Sequence, residues 1–191
     1  MNILIIDNET RLIPQLVSLL EIHKIFVVKA DLLKDDDTKN IDLIILSGGY
    51  KFSILKSQDT FYKKEIEIIR TTKIPVIGIC AGFELMVVAY GGELVRNENK
   101  FVGIYELSII KNNRIFGDHQ SYQVYKSHYW SVKTLSDDFI ICATTSTGID
   151  VVKHKTKQQY GLQFHPELER VKTNGYLIFE QILKQIFYPK S

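Results

Sequence analysis

The chain has 191 residues, enough for one domain with a sizeable core, and its 45% hydrophobic and 24% charged residues are ordinary for a globular protein. Its 24 basic and 22 acidic side chains leave a formal charge of +2, with the lysines scattered, which excludes a global nucleic-acid footprint. No apolar run approaches the ~20 residues that cross a bilayer. Met1 to Asp7 lacks the basic start and long apolar core of a signal peptide, and Cys80 and Cys142 allow no disulfide framework beyond one bridge, so a reducing cytoplasm is the expected setting.

In chain order, Ile3 to Ile6 is a buried-strand run, and Leu12-Ile13, Leu16-Val17 and Leu19-Leu20 recur at helical spacing with Thr10 available as a cap. Ile25 to Val28 reads as a second strand, Asp31 to Asn40 as a polar connection, and Asp42 to Leu46 as a third strand ending in Ser47-Gly48-Gly49-Tyr50. A helix is expected within Thr60 to Arg70, followed by the strand Ile74-Pro75-Val76-Ile77. Strands bare of polar alternation, interleaved with helices, argue for an open, mostly parallel sheet flanked by helices. Functional groups in such sheets gather beyond the carboxyl ends of the strands, where Asp7, Ser47 to Gly49 and Cys80 all fall.

After Gly91-Gly92 the texture changes. Glu93 to Val95, Ile104 to Ile110, Tyr122 to Tyr125, Phe139 to Ala143, Ile149 to Val152 and Tyr160 to Phe164 read as strands of an additional antiparallel or mixed region. The spacing of Tyr176 to Phe179, Ile182-Leu183 and Ile186-Phe187 predicts a closing amphipathic helix. No repeat or Pro/Gly-rich linker interrupts the chain, so residues 1–191 are expected to form one domain. Cys142, inside an apolar run, reads as a small buried thiol. His23, His119 and His154 lack metal-ligand spacing and read as surface histidines; no metal or other cofactor is expected.

The chemistry concentrates at Gly78-Ile79-Cys80-Ala81-Gly82. A β-branched run, a glycine-flanked thiol and then the helix-like Phe83 to Ala89 form the strand–turn–helix layout of a nucleophile elbow. Glycines suit that turn because backbone segments approach where a Cβ would clash. The thiol would lie at a helix N-terminus, whose partial positive charge favours thiolate. A lone Gly-x-Cys-x-Gly is more often a structural turn. Here the strand before it, and Gln163-Phe164-His165-Pro166-Glu167 much later, suggest a Cys80–His165–Glu167 triad.

With Ser47-Gly48-Gly49, Gly78 to Gly82 and His165-Pro166-Glu167 in this order, the chain resembles the class I (triad-type) glutamine amidotransferases over essentially its whole length. Within them it looks most like the glutaminase domain or subunit of GMP synthase, on Tyr90 to Arg96, Lys126 to Trp130 and Tyr160 to Glu167. The resemblance implies a flavodoxin-like glutaminase fold. It implies that Cys80 attacks the side-chain amide of glutamine, that His165 is the base oriented by Glu167, and that the backbone amides of Gly49 and Ala81 hold the oxyanion. Ser127, His128, Tyr129 and Trp130 would help hold the amino-acid end of the substrate. No P-loop-like glycine tract occurs, so ammonia used in synthesis would pass to a separate ATP-dependent synthetase subunit.

The chain also departs from that family. Many members carry glutamine four residues after the cysteine as a substrate contact; here it is Glu84, and Gly82-Phe83-Glu84 is similar to the γ-glutamyl hydrolases, which cut γ-glutamyl peptides with the same fold and triad. Tyr50 and Lys51 replace the usual proline and small residue, and Asp7-Asn8-Glu9-Thr10 lacks the usual Gly-Gly-Gln. Glu84 is either a substrate contact or a solvated residue of the first helical turn, and His128 to Trp130 either border the substrate or edge an aromatic core. Two alternatives therefore stand beside a glutaminase: a free-standing γ-glutamyl hydrolase or peptidase, and an inactive regulatory paralogue.

Overall fold

The structure, a computed structural model, describes residues 1–110, 114–117 and 121–188. Nine strands form one mixed sheet: β1 (Asn2–Asn8), β2 (Lys24–Lys29), β3 (Leu43–Gly49), β4 (Val76–Ile79), β5 (Glu93–Ile109), β6 (Tyr122–Thr134), β7 (Phe139–Thr145), β8 (Gly148–His154) and β9 (Gln159–Leu162). The helices are α1 (Ile13–Ser18), α2 (Ile54–Ser57), α3 (Lys63–Thr71), α4 (Ala81–Ala89) and α5 (Gly175–Phe187). The order across the sheet is β2-β1-β3-β4-β9-β8-β7-β5-β6; β2 to β9 in that order pair in parallel, and the remainder antiparallel.

The bare apolar runs follow from burial on both faces. Ile3 and Ile5, with Leu43, Ile45, Ile77 and Ile79, pack on the side of α1 and α5. Leu4, Ile6, Ile44 and Leu46 pack on the opposite side with residues of α3 and α4. Every residue of α4 from Ala81 to Val87 is buried, which is why that helix shows no polar face. Among the described residues no helix is long and apolar enough to cross a membrane.

Past β4 the expected strands merge. Glu93 to Val95 and Ile104 to Ile110, read as separate, belong (Ile110 excepted) to one strand of 17 residues, and the strand from Tyr122 continues through Ser127 to Trp130. Polar residues 97–100 hid this continuity, because the register with β6 shifts between Arg96 and Phe101 in a bulge. The β5–β6 pair is an arm whose strand pairing with the main sheet, among the described residues, is Ser108–Thr144 and Ile109–Ala143.

Three smaller expectations change. Thr10 closes a turn by accepting the Leu12 N–H at 3.2 Å rather than capping α1, whose N-cap is Leu12. His154 is buried, not on the surface: its Nδ1 accepts the N–H groups of Thr156 and Lys157, both at 3.1 Å, and its ring packs on Tyr90 and Phe139. His119 lies outside the described residues. Cys142 is fully buried, as its setting suggested.

Candidate active site

Strand β4 ends and α4 begins with a single residue between them, Cys80, at φ 50° and ψ −106°. A positive φ on a side chain of this kind is strained backbone, held only because its surroundings fix it. Cys80 N–H donates to Leu162 O at 2.7 Å, and its own carbonyl accepts from Glu84 N–H at 2.9 Å. The flanking glycines close the turn: a Cβ on Gly82 would stand 2.3 Å from Leu46 O, and one on Gly78 2.6 Å from Gly82 O. The glycines at these two positions therefore have a steric basis.

His165 follows β9, anchored by its N–H to Tyr125 O at 2.9 Å. Its Nδ1 meets Glu167 Oε1 at 2.8 Å, and the ring lines one hollow together with the Cys80 side chain. Both His165 and Glu167 are buried. Burial works against a charged ring. Electrostatic attraction to the Cys80 sulfur and the Glu167 carboxylate, with the Glu167 hydrogen bond, outweighs it and holds the imidazolium well above the usual histidine range. The structure thus brings together the sulfur, imidazole and carboxylate that the sequence singled out.

Two hollows meet at the thiol. The smaller, about 190 Å³, is lined by Cys80, Gly49 and Ala81, by Glu84, and by Ser127, His128, Tyr129 and Trp130. It gathers in one place every residue expected to bind substrate or an oxyanion. The larger, about 410 Å³, lies on the His165 side of Cys80 and adds Arg11, Tyr125 and Leu168, while Lys100, Gly49, Tyr50 and Ser127 border both.

Glu84 is buried rather than solvated, and its Oε1 accepts from Gln163 Nε2 at 3.0 Å. Burial pushes its carboxyl up to about 7, against the pull of the Gln163 hydrogen bond and the His165 charge. His128 is also buried, with Nδ1 bonded to Trp130 O at 2.7 Å and no hydrogen-bond partner for Nε2 among the described residues. Burial, reinforced by the positive charge of Lys126, brings it down to about 4, so the ring is neutral. Tyr129 is exposed beneath Arg96, whose guanidinium lies 4.8 Å from its ring centre.

Sequence reasoning missed the polar contacts behind these walls. Lys126 and Asp150, both fully buried, pair at 2.8 Å between β6 and β8. Asn8, Ser47 and Glu65 form a second buried network under the Ser47–Gly49 strand end. A signal for the first was present: Tyr122, Val124, Lys126 and His128 share one strand face, and that face is buried.

Comparison with known proteins identifies the family and the fold. The family model for class I glutamine amidotransferases matches residues 4–185. The glutamine-hydrolysing GMP synthase subunit of Methanothermobacter thermautotrophicus is 38% identical over 117 residues, a match spanning 60% of this chain and 62% of that relative. Its counterpart in Methanosphaera stadtmanae is 32% identical across 96% of this chain and 97% of its own. A solved structure from Thermoplasma acidophilum, described as a GMP synthase subunit, superposes with a TM-score of 0.86 at 25% identity, over 97% of this chain and 94% of that one. With its nine-stranded mixed sheet among the described residues and residues 4–185 matched by the family model, the chain belongs to the class I glutamine amidotransferase family.

Proposed function

We propose that the protein hydrolyses the side-chain amide of glutamine to glutamate and ammonia, and hands the ammonia to a separate ATP-dependent synthetase subunit of the GMP synthase kind. The observation that carries this reading is the strained Cys80 at the elbow, sharing a hollow with an imidazole that Glu167 holds at 2.8 Å. In the reaction the Cys80 thiolate attacks the amide carbon of glutamine seated in the smaller hollow. Negative charge then develops on the carbonyl oxygen, where the Gly49 and Ala81 backbone amides stabilise it. The carbon–nitrogen bond breaks as the His165 imidazolium gives its proton to the departing nitrogen, releasing ammonia and leaving a thioester. His165, now neutral, takes a proton from water as it attacks the thioester, and glutamate leaves with the thiolate restored. Glu167 keeps the ring oriented and favours its charged form throughout.

Relatives named as glutamine-hydrolysing GMP synthase subunits support both the substrate and the existence of a synthetase partner. The test is ammonia and glutamate release from glutamine, measured for wild type and Cys80→Ala, with and without an ATP-dependent GMP synthetase subunit. Turnover that depends on Cys80 and rises with the partner is expected. Equal, negligible turnover by both proteins under both conditions would leave the inactive paralogue standing instead.

A second reading, γ-glutamyl hydrolysis, has its own observation. Ammonia leaves most of the 410 Å³ hollow unfilled, and that hollow carries Arg11 and Lys100 but no acidic side chain among its lining residues. A leaving amine bearing a carboxylate would be drawn there. Cleavage of a γ-glutamyl amino acid in preference to glutamine would favour this reading over the first.

A further inference from the structure

Under the loop that borders the thiol runs a hydrogen-bond chain that touches neither hollow. Glu65, on α3, is fully buried, and its Oε1 accepts from Asn8 Nδ2 at 3.1 Å. The same Asn8 amide donates its other hydrogen to Ser47 O at 3.0 Å, while Asn8 N–H donates to Ser47 Oγ at 2.9 Å. Ser47 Oγ–H in turn donates to Gly48 O at 2.9 Å. Next along the chain, Gly49 pairs with Asn8 so closely that a Cβ on it would lie 2.5 Å from Asn8 O. The strand end fixed in this way faces the chemistry: a Cβ on Gly48 would stand 3.0 Å from His165 Cε1 and 3.7 Å from Cys80 Cβ.

We propose that Glu65 is a positioning residue for acyl transfer, acting through Asn8 to fix Ser47–Gly49 so that the Gly49 amide meets the oxyanion. The inference rests on the catalytic reading above. An amide with two hydrogens in a dry interior needs two acceptors, and the Ser47 carbonyl is only one of them. Glu65 supplies the second. Burial raises its carboxyl to about 8, with the Asn8 hydrogen bond opposing, so at neutral pH it acts as a neutral acceptor rather than as a charge. Tyr62, the N-cap of that helix, spends its hydroxyl on Phe52 O and does not compete for the carboxyl. A glutamine at 65 offers the same carbonyl oxygen; a leucine fills the space and offers none.

The test is steady-state kinetics of Glu65→Gln and Glu65→Leu on whichever γ-glutamyl compound the wild type turns over. Glu65→Gln should stay within about twofold of wild type in kcat and KM. Glu65→Leu should lose about 30-fold in kcat with KM within about threefold, a fraction of the ~100–1,000-fold that losing an oxyanion donor costs. Should Glu65→Leu fail to reach a folded baseline in urea denaturation, Asn8→Ala carries the same readout from the other end of the hydrogen bond. A kcat within threefold of wild type in the folded variant, or a Gln variant as impaired as the Leu variant, would overturn the inference alone. A wild type indistinguishable from Cys80→Ala on every compound would overturn the catalytic reading, and the inference with it.

Discussion

Replacing Lys126 by methionine should destabilise the protein far more than an ordinary surface-lysine change, and Asp150 is the reason. Both side chains have no solvent exposure, and the ammonium sits 2.8 and 3.0 Å from the two carboxylate oxygens, with Thr145 Oγ1 at 3.0 Å and the Thr147 hydroxyl completing its shell. Burial pulls Lys126 down and pushes Asp150 up, each opposed by the other's charge, so either ion is costly here without its partner. Removing one member of such a pair costs about 3–5 kcal/mol, whereas replacing both with apolar groups is close to neutral. With a urea m-value of ~2 kcal/mol/M, the Lys126→Met midpoint should fall by about 2 M. Lys126→Met/Asp150→Leu should recover to within about 1 kcal/mol of wild type. The single variant's deficit should also shrink as pH falls toward 4, because Asp150 then no longer carries a charge into the interior. Urea denaturation of all three proteins at pH 7, and of the single variant at pH 4, decides it. A single variant within 1 kcal/mol of wild type, or a double variant as weak as the single, would refute the reasoning.

Two further outcomes follow from the same kind of argument. Gly82→Ala puts a Cβ 2.3 Å from Leu46 O, a backbone atom that cannot swing aside, so α4 must shift from β3; a loss of about 3 kcal/mol in urea denaturation is expected, with glutamine turnover falling alongside it. Glu84 has a folded-state carboxyl near 7 against 4.5 in the unfolded chain, so its stabilising contribution is complete below about pH 4.5 and is lost as pH rises through 7; Glu84→Gln should remove roughly 2–3 kcal/mol of the stability lost between pH 5 and 8, seen as a flatter midpoint-versus-pH curve.

The parallel half of the fold was legible because burial on two faces leaves a plain mark: Ile3 to Ile6 and Leu43 to Leu46 have no polar position to confuse the pattern. The elbow was legible for a steric reason, since only glycine fits at 78 and 82. The arm was not. One-sided exposure of β5 interleaves polar residues with apolar ones, and the bulge near Arg96 breaks the period of two that would have tied Glu93 to Ile109. His154 misled because spacing says nothing about tertiary burial; two backbone donors and two aromatic rings enclose it. Lys126–Asp150 and Glu65–Asn8 escaped because their members come together only through strand order and helix packing, which no local window contains.

The acids around the thiol divide by partner. Glu167 has a cationic partner, and its charge helps hold His165 protonated. Glu84, one helical turn beyond Cys80, accepts from the neutral Gln163 amide, and burial, outweighing that bond and the His165 charge, brings its carboxyl to about 7. Were it fully ionised, its charge would oppose the thiolate that the proposed mechanism requires in the same hollow. Near neutrality much of it is the neutral acid, able to donate and accept as an amide does, so Glu84 departs less from a glutamine in its chemistry than in its formal charge. The difference emerges on the alkaline side, where ionised Glu84 places a second negative charge beside the sulfur. Turnover by the wild type should therefore decline above pH 7 relative to Glu84→Gln, and the gap should widen with pH because it tracks the ionised fraction of one buried carboxyl.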